Sequence, residues 1–131
     1  MILVDTSVWV DYDRANRSAA ERRLTEFIGS GGSQIATCDP VLMEVLAGAK
    51  DERRCNDLRR LLTSFGWVPI DPIADFEGAS GVYRLCRRNG VTPRGLIDCM
   101  IANIALRTGS SLLTSAKDSR AIARVVNLKL A

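Results

Sequence analysis

The amino-acid sequence predicts an α/β protein in which a mostly parallel sheet of four to five short strands lies between flanking helices, a three-layer arrangement. Short apolar runs alternate along the chain with longer stretches of helical periodicity, and this alternation is typical of strands joined by helices. The chain shows no repeat, low-complexity segment or linker. Its 131 residues suffice for a hydrophobic core, so we expect residues 1–131 to fold as one domain.

The amino-terminal half begins with a strand, because residues 1–4 (MILV) are all apolar, as in a parallel strand covered on both faces. Thr6 or Ser7 is expected to cap the first helix, Ser18–Glu21 forms a capping box for the second, and Asp39 is expected to cap the third. The expected elements are, in order, a strand at 1–4, helices at 6–14 and 18–29, a strand at 34–38, and helices at 39–49 and 51–65.

The carboxyl-terminal half continues the alternation. The third strand contains Pro69, which favours the edge or the end of a strand. Residues 96–107 are apolar on nearly every side, as in a buried helix. The expected elements are a strand at 67–70, helices at 72–88 and 96–107, a strand at 110–115, a helix at 117–126 and a possible fifth strand at 128–130.

Histidine is absent from the chain, and its absence excludes several kinds of catalysis. Ser-His-Asp and Cys-His mechanisms, imidazole acid–base chemistry and histidine metal ligation all need it. The four cysteines contain no C-x-x-C pair, so we expect reduced, mostly buried thiols rather than a zinc site. Catalysis is left to carboxylates, hydroxyls, lysine, tyrosine or a bound cation.

The expected location of the protein and its net charge say less about its function than the absence of histidine does. No apolar run approaches the ~20 residues that cross a bilayer, and the start lacks the features of a signal peptide, so we expect a cytoplasmic protein without a membrane partner. The net charge of +3 is small, but all except three of the 18 basic residues are arginine, whose planar guanidinium suits phosphate. Paired arginines such as Arg87-Arg88 are equally explained as solvated helix faces.

Four carboxylates occur at unusual places. Asp5 ends the first predicted strand, and Asp118 follows the fourth. Glu44 and Asp98 interrupt apolar helices, where an acidic side chain is rare unless it is paired or bound to metal. Each alone is also explained as a helix cap, a polar helix edge or a dipole partner. Together they indicate one acidic pocket that binds a hard divalent cation, Mg²⁺ or Mn²⁺.

Three ordered stretches resemble the signature motifs of PIN-domain ribonucleases: VDTSVWVDY at 4–12, MEVLAG at 43–48 and RGLIDCMIANIAL at 94–106. The similarity is greatest to the small VapC-type toxins of bacterial toxin–antitoxin pairs. The resemblance implies a PIN fold and Mg²⁺- or Mn²⁺-dependent hydrolysis of RNA that leaves a 5′-phosphate. It also implies a homodimer and a cognate antitoxin as partner.

The same resemblance implies roles for single residues. The candidates are Asp5, Glu44, Asp98 and Asp118 as metal and catalytic positions, and Thr6, Ser7 and Arg94 as substrate contacts. Thr6 and Ser7 match the family's hydroxyls beside the first aspartate. Arg94 is chosen because it immediately precedes the helix that carries Asp98, where a guanidinium would hold the RNA backbone.

One position departs from the family pattern. VapC-type toxins usually carry an Asp-x-Asp pair where this chain has TSAKDS, so that Ala116 replaces the first aspartate and Ser119 the usual aromatic residue. An RNA- or antitoxin-binding module with a weakened metal site is therefore an alternative to an active nuclease. A third possibility is a phosphatase-like domain with Asp5 as nucleophile and Lys117 nearby, although no D-x-D follows the first strand.

A few large apolar side chains give an indirect indication of a protein–protein interface. Trp9, Phe65 and Trp67 would serve a homodimer or antitoxin surface if they were exposed. Packing into the core is the other explanation for all three.

Overall fold

The computed structural model describes residues 1–131, which form four strands and seven helices. The strands are β1 Ile2–Val4, β2 Ile35–Cys38, β3 Gly66–Val68 and β4 Ser111–Leu113. The helices are α1 Thr6–Arg14, α2 Ala19–Gly29, α3 Asp39–Ala47, α4 Glu52–Thr63, α5 Pro72–Arg88, α6 Leu96–Thr108 and α7 Lys117–Val126. The predicted α/β class, with a parallel sheet flanked by helices, is confirmed.

The sheet has the strand order β3-β2-β1-β4, and every neighbouring pair is parallel. Leu3 of β1 pairs with Ala36 on one side and with Leu112 on the other. The chain builds outward from β1 through β2 to β3 and then crosses to place β4 on the opposite side of β1. Open parallel sheets bind ligands at the carboxyl ends of the strands beside such a reversal, which here lies between β1 and β4.

The hydrophobic core is one cluster of 28 buried residues that joins the sheet to the helices. β2 is buried at every position, as expected for an apolar strand covered on both faces. α6 is buried along most of its length and packs closely against α5. Gly78 permits this close approach, because a Cβ atom there would overlap the side-chain amide of Asn103.

The possible fifth strand at 128–130 does not form. Only an isolated parallel bridge between Leu112 and Leu130 is present there. Asn127 adopts the left-handed conformation that ends α7, and Leu128 then turns its side chain into the core. The segment therefore meets the edge of β4 at a single point instead of running alongside it.

Of the two bonds of the capping box predicted before α2, only the one accepted by Ser18 forms, and the Glu21 side chain does not bond back to the Ser18 N–H. The Ser18 hydroxyl accepts a hydrogen bond from the Glu21 N–H at 3.1 Å, which satisfies one of the free donors at the helix start. α2 ends at Gly29, and the positive φ angles of Gly31 and Gly32 turn the chain toward β2.

The caps predicted for α1 and α3 are wrong. Asp5 occupies the N-cap position of α1, while Thr6 and Ser7 lie inside the helix. Cys38 occupies that position before α3, and Asp39 is the first helical residue. Neither helix has a side-chain cap hydrogen bond. In α1 the reason is that the carboxylate and both hydroxyls bond to one another and to other elements instead of to the helix start.

Trp9 is not a surface residue, because its side chain is 1% exposed. Its ring lies 5.8 Å from that of Phe65 and 6.3 Å, edge-on, from that of Tyr12. Phe65 is likewise packed against the core, so core packing is the correct explanation for both. Only Trp67, on the edge strand β3, reaches the surface.

The cysteines are free thiols, and Cys38, Cys86 and Cys99 are buried, as predicted. Burial raises the pKa of Cys38 to about 12 and that of Cys99 to about 11, with nearby negative charge adding to the effect. Both thiols therefore stay protonated at neutral pH and are poor metal ligands. No helix combines the length and apolarity needed to span a bilayer.

Candidate metal site

Asp5 lies directly after β1, at the carboxyl edge of the sheet, and its side chain is 2% exposed. Its Oδ2 atom accepts hydrogen bonds from Ser7 Oγ at 2.7 Å and Thr114 Oγ1 at 2.8 Å. Its Oδ1 atom is buried and has no hydrogen-bond partner. A buried carboxylate oxygen without a donor is unfavourable unless a cation or a water binds it, so Asp5 presents one oriented and unused ligand atom.

Both hydroxyls that hold Asp5 are themselves held by the β4–α7 connection. The Ser115 N–H donates to Ser7 Oγ at 3.1 Å, and the Ala116 N–H donates to Thr114 Oγ1 at 3.1 Å. Each hydroxyl oxygen accepts from the backbone, which leaves its proton free to bond to Asp5. Thr114 was not among the residues predicted from the sequence, although it carries a hydroxyl and directly follows β4, just as Asp5 directly follows β1.

Glu44 lies on α3 and is half-buried, so the structure places it at the polar edge of an otherwise apolar helix. Its Oε1 atom accepts a hydrogen bond of 2.7 Å from the Thr6 hydroxyl of α1. This contact between residues 38 positions apart brings the carboxylate of α3 next to the start of α1.

Asp98 lies in the first turn of α6 and senses the other three carboxylates. Burial, together with the negative charges of Asp5, Glu44 and Asp118, raises the pKa of Asp98 to about 6. Asp98 therefore lies close enough to the other three predicted carboxylates to be repelled by each of them. A cation would relieve that repulsion.

Asp118 lies in the first turn of α7, and the structure connects it to Arg94. Its Oδ2 atom accepts the Arg94 backbone N–H at 3.2 Å and lies 3.7 Å from the Arg94 Nε atom. The Arg94 side chain is 92% exposed, so this ion pair contributes little to stability and leaves most of the guanidinium open to solvent. Ala116, in the N-cap position of α7, adds no ligand atom.

The donor set suits a hard divalent cation, since it consists of carboxylate oxygens without histidine or thiolate. No three acidic or cysteine side chains in the chain are arranged as a ready-made ligand group. Mg²⁺ is commonly held by one or two carboxylates and keeps several waters. The free Asp5 Oδ1 atom and the mutual repulsion felt by Asp98 therefore fit an ion that some carboxylates contact through water.

Comparisons with known proteins agree in fold and sequence. Residues 2–126 match the PIN-domain family model. Ribonuclease VapC11 of Mycobacterium tuberculosis is 40% identical over 131 residues, which cover 100% of this chain and 98% of that protein. Promoter-bound VapBC2 of Rickettsia felis shares the fold with a TM-score of 0.76 at 20% identity, covering 100% of this chain and 98% of that one. DNA-bound VapBC of Salmonella typhimurium gives 0.74 at 20% identity, covering 99% and 96%.

Proposed function

Because this chain belongs to the PIN-domain family of VapC-type ribonucleases, as its three motifs predicted, we propose that it is the metal-dependent ribonuclease toxin of a toxin–antitoxin pair. The observation that carries the metal site is the buried Asp5 Oδ1 atom, which has no donor. It is supported by Asp98, whose pKa is raised by burial and by the charges of Asp5, Glu44 and Asp118. We further propose that residues 1–131 act as a single domain, since one continuous core joins all layers.

Four carboxylates of the chain would hold the cation: Asp5, Glu44, Asp98 and Asp118. When bound, Mg²⁺ or Mn²⁺ supplies a Lewis acid that acidifies water and offsets the charge of the scissile phosphate. The Ser7 and Thr114 hydroxyls fix the Asp5 carboxylate through Oδ2 and leave Oδ1 for the ion. The Thr6 hydroxyl orients Glu44 in the same way. This mechanism needs no imidazole, in keeping with a chain that has no histidine.

We propose RNA as the substrate and the cytoplasm as the place where the protein acts on it. Arg94 is suited to hold the RNA backbone, because its guanidinium extends into solvent from the loop that leads to Asp98. Thr6 and Ser7 lie beside two of the carboxylates, and their hydroxyl protons are donated to Glu44 and Asp5. We therefore propose orientation of the carboxylates as the main role of these two hydroxyls, and contact with the substrate as a secondary one.

Neither alternative function is favoured. A relative at 40% identity over the whole chain is a ribonuclease, which speaks against a mere binding module despite Ala116. The match of residues 2–126 to a PIN domain speaks against the phosphatase-like hypothesis, and Lys117 is exposed at the start of α7.

Metal dependence is tested by cleavage of RNA on a denaturing gel. We expect Mg²⁺ or Mn²⁺ to support cleavage to products with 5′-phosphates. EDTA is expected to lower the rate by at least ~100-fold, because the carboxylates alone supply neither acidified water nor charge neutralisation. Restoring the metal in excess over EDTA is the control. Undiminished cleavage in EDTA would contradict the mechanism, and RNA binding without cleavage in Mg²⁺ would favour the binding module.

The exposed apolar surface suits a second copy of the chain and an antitoxin. Met43, Ile73, Phe76 and Leu96 are all more than half exposed. Met43 and Phe76 line a groove of about 360 Å³ with Pro40, Ile70, Ile97 and Met100. We propose that this groove, formed by α3, α5 and α6, is the homodimer interface, and that a small antitoxin is the second partner. The VapBC assemblies that share this fold support a toxin–antitoxin pair.

The dimer is tested with Phe76→Glu. A charge on this exposed ring position is expected to shift the protein from dimer to monomer in light scattering at micromolar concentration, because an unpaired charge is costly in an apolar interface. Leu106→Glu, an exposed apolar position outside the groove, is the control and should leave the mass unchanged. A monomeric wild-type protein would refute the dimer. Failure to co-purify with a co-expressed candidate antitoxin would count against that pairing.

A further inference from the structure

Three arginines at the carboxyl end of α5 form a basic surface separate from the acidic site. Arg84, Arg87 and Arg88 are spaced i, i+3 and i+4, so they share one helix face. Together they border a wide, nearly flat region of the surface, with no hydrophobic residue beside them. We call these three residues the arginine cluster.

The arginine cluster has no acidic partner within the chain. The ion pairs of the protein use other arginines, among them Arg54 with Asp13 and Arg107 with Asp75. Like charges at this helical spacing repel one another by a few tenths of a kcal/mol per pair. The repulsion within the cluster therefore destabilises the isolated fold slightly, and a bound anion would relieve it.

The helix dipole explains only part of the cluster. Arg87 and Arg88 lie in the last turn of α5, where positive charge is favourable. Arg84 lies one turn earlier and gains little from the dipole. A solvated helix face accounts for each arginine singly, so the grouping of all three on one face and its position relative to the acidic site are the observations that matter.

The cluster lies at the same end of the α5–α6 pair as the acidic site. Contacts of Asp75, near the start of α5, with Arg107, near the end of α6, show that the two helices run in opposite directions. The end of α5 therefore lies beside the start of α6, which carries Asp98. The loop between these helix ends contains Arg94, so positive charge continues from the cluster toward the carboxylates.

We propose that the arginine cluster is a subsite for the phosphate backbone of the RNA substrate, flanking the cleavage site. This inference rests on the proposed ribonuclease function. Guanidinium groups match phosphate in charge and in forked geometry, and three of them on one helix face can contact neighbouring phosphates. No aromatic side chain borders this region, so bases have nothing to stack on there and the subsite does not read sequence.

The test is RNA binding by the variant Arg84→Gln/Arg87→Gln/Arg88→Gln. Glutamine keeps a good helix former of similar length and removes only the charge. Fluorescence anisotropy with a labelled single-stranded RNA, in EDTA to prevent cleavage, gives the dissociation constant over a range of salt concentrations. Three lost phosphate contacts should lower the slope of log K against log salt by about 2 and weaken binding roughly 100-fold at 0.1 M salt.

The matched control is Arg53→Gln/Arg59→Gln/Arg60→Gln on α4, which removes the same charge from another helix. We expect its affinity to stay within about threefold of the wild type. Circular dichroism checks that both variants keep their helices. In Mg²⁺, the cluster variant should raise KM for RNA while kcat stays within about twofold, because a flanking contact is made equally in the ground and transition states.

The outcomes separate this inference from the proposed function. If the wild-type protein neither binds nor cleaves RNA, the proposed function fails and the subsite with it. If the wild type cleaves RNA but the cluster variant keeps its affinity and salt slope, only the subsite is refuted. An equal loss in the α4 control would assign the effect to net charge and also refute it. Loss of poly-glutamate binding with unchanged RNA binding would identify an acidic protein partner instead.

Discussion

Replacing Asp98 by asparagine is expected to lower the rate of RNA cleavage by at least ~100-fold and to raise the melting temperature of the metal-free protein. The amide keeps the shape of the carboxylate but removes a charge that the cation requires, a loss of several kcal/mol in the transition state. Without metal, the same change relieves the repulsion by Asp5, Glu44 and Asp118. Cleavage assays and thermal melts in EDTA measure the two opposite effects.

The pH dependence of these melts gives a sharper check. Because the pKa of Asp98 in the folded protein is raised to about 6, above the ~3.9 of an unfolded aspartate, its ionisation destabilises the fold. The stability that protonated Asp98 contributes is fully present below pH ~4 and is lost as the pH rises through about 6. The advantage of Asp98→Asn should therefore be largest at pH 7.5 and disappear toward pH 4.

Glu77→Gln is the control for Asp98→Asn, since it makes the same acid-to-amide change at an exposed position on α5. It should change neither the cleavage rate nor the melting temperature appreciably. Full activity of Asp98→Asn would remove Asp98 from the metal site. A lower melting temperature in EDTA would show that the four carboxylates do not repel one another in the folded protein.

Replacing Asp75 by alanine is expected to lower the free energy of unfolding by about 3 kcal/mol. Asp75 is fully buried, and Arg107 donates to both of its oxygens, at 2.9 Å from Nε and 2.7 Å from Nη2. The Asn103 amide and the Asp71 N–H also donate to it. The substitution leaves these donors unmatched, and we take the low end for breaking a buried pair because Arg107 is 32% exposed. Urea unfolding followed by circular dichroism measures the change.

Asp71→Ala is the matched control, because Asp71 caps the same helix by accepting the Ala74 N–H at 3.1 Å. Losing an exposed cap should cost about 1 kcal/mol. Equal losses in the two variants would show that the buried network adds nothing beyond a cap.

The Asp75 network also predicts a loss of stability in acid. Burial by itself raises the pKa of Asp75, but the hydrogen bonds and charge of Arg107, together with the Asp71 N–H, hold it below its usual value. Its contribution is therefore present above the unfolded pKa of ~3.9 and is lost as the pH falls through the lower folded value. Asp75→Ala should unfold with a weaker dependence on pH below 4 than the wild type.

The strands and helices could be predicted from the sequence, because the patterns that indicate them lie within each segment. Apolar runs and helical periodicity predicted all four strands and all seven helices, and the alternation predicted a parallel sheet. The expectations that failed depended on contacts that periodicity does not contain. Trp9 and Val8 are both covered by the core, and the 128–130 segment pairs with β4 only through a single bridge at Leu112.

In the candidate site, too, some features could be predicted from the sequence and others depended on the fold. The sequence alone determined which carboxylates to examine, since Asp5 ends a strand and Asp98 interrupts an apolar helix. Only the tertiary structure decided that Thr114, 109 positions away, would orient Asp5 and leave Oδ1 free, and that Asp75 would be buried and paired with Arg107. It also decided that the arginines of α5 would find no acid to pair with. The physical reason is that hydrogen bonds, ion pairs and mutual repulsion act over a few ångströms between side chains that only folding brings together, whereas periodicity records only which face of an element meets the core.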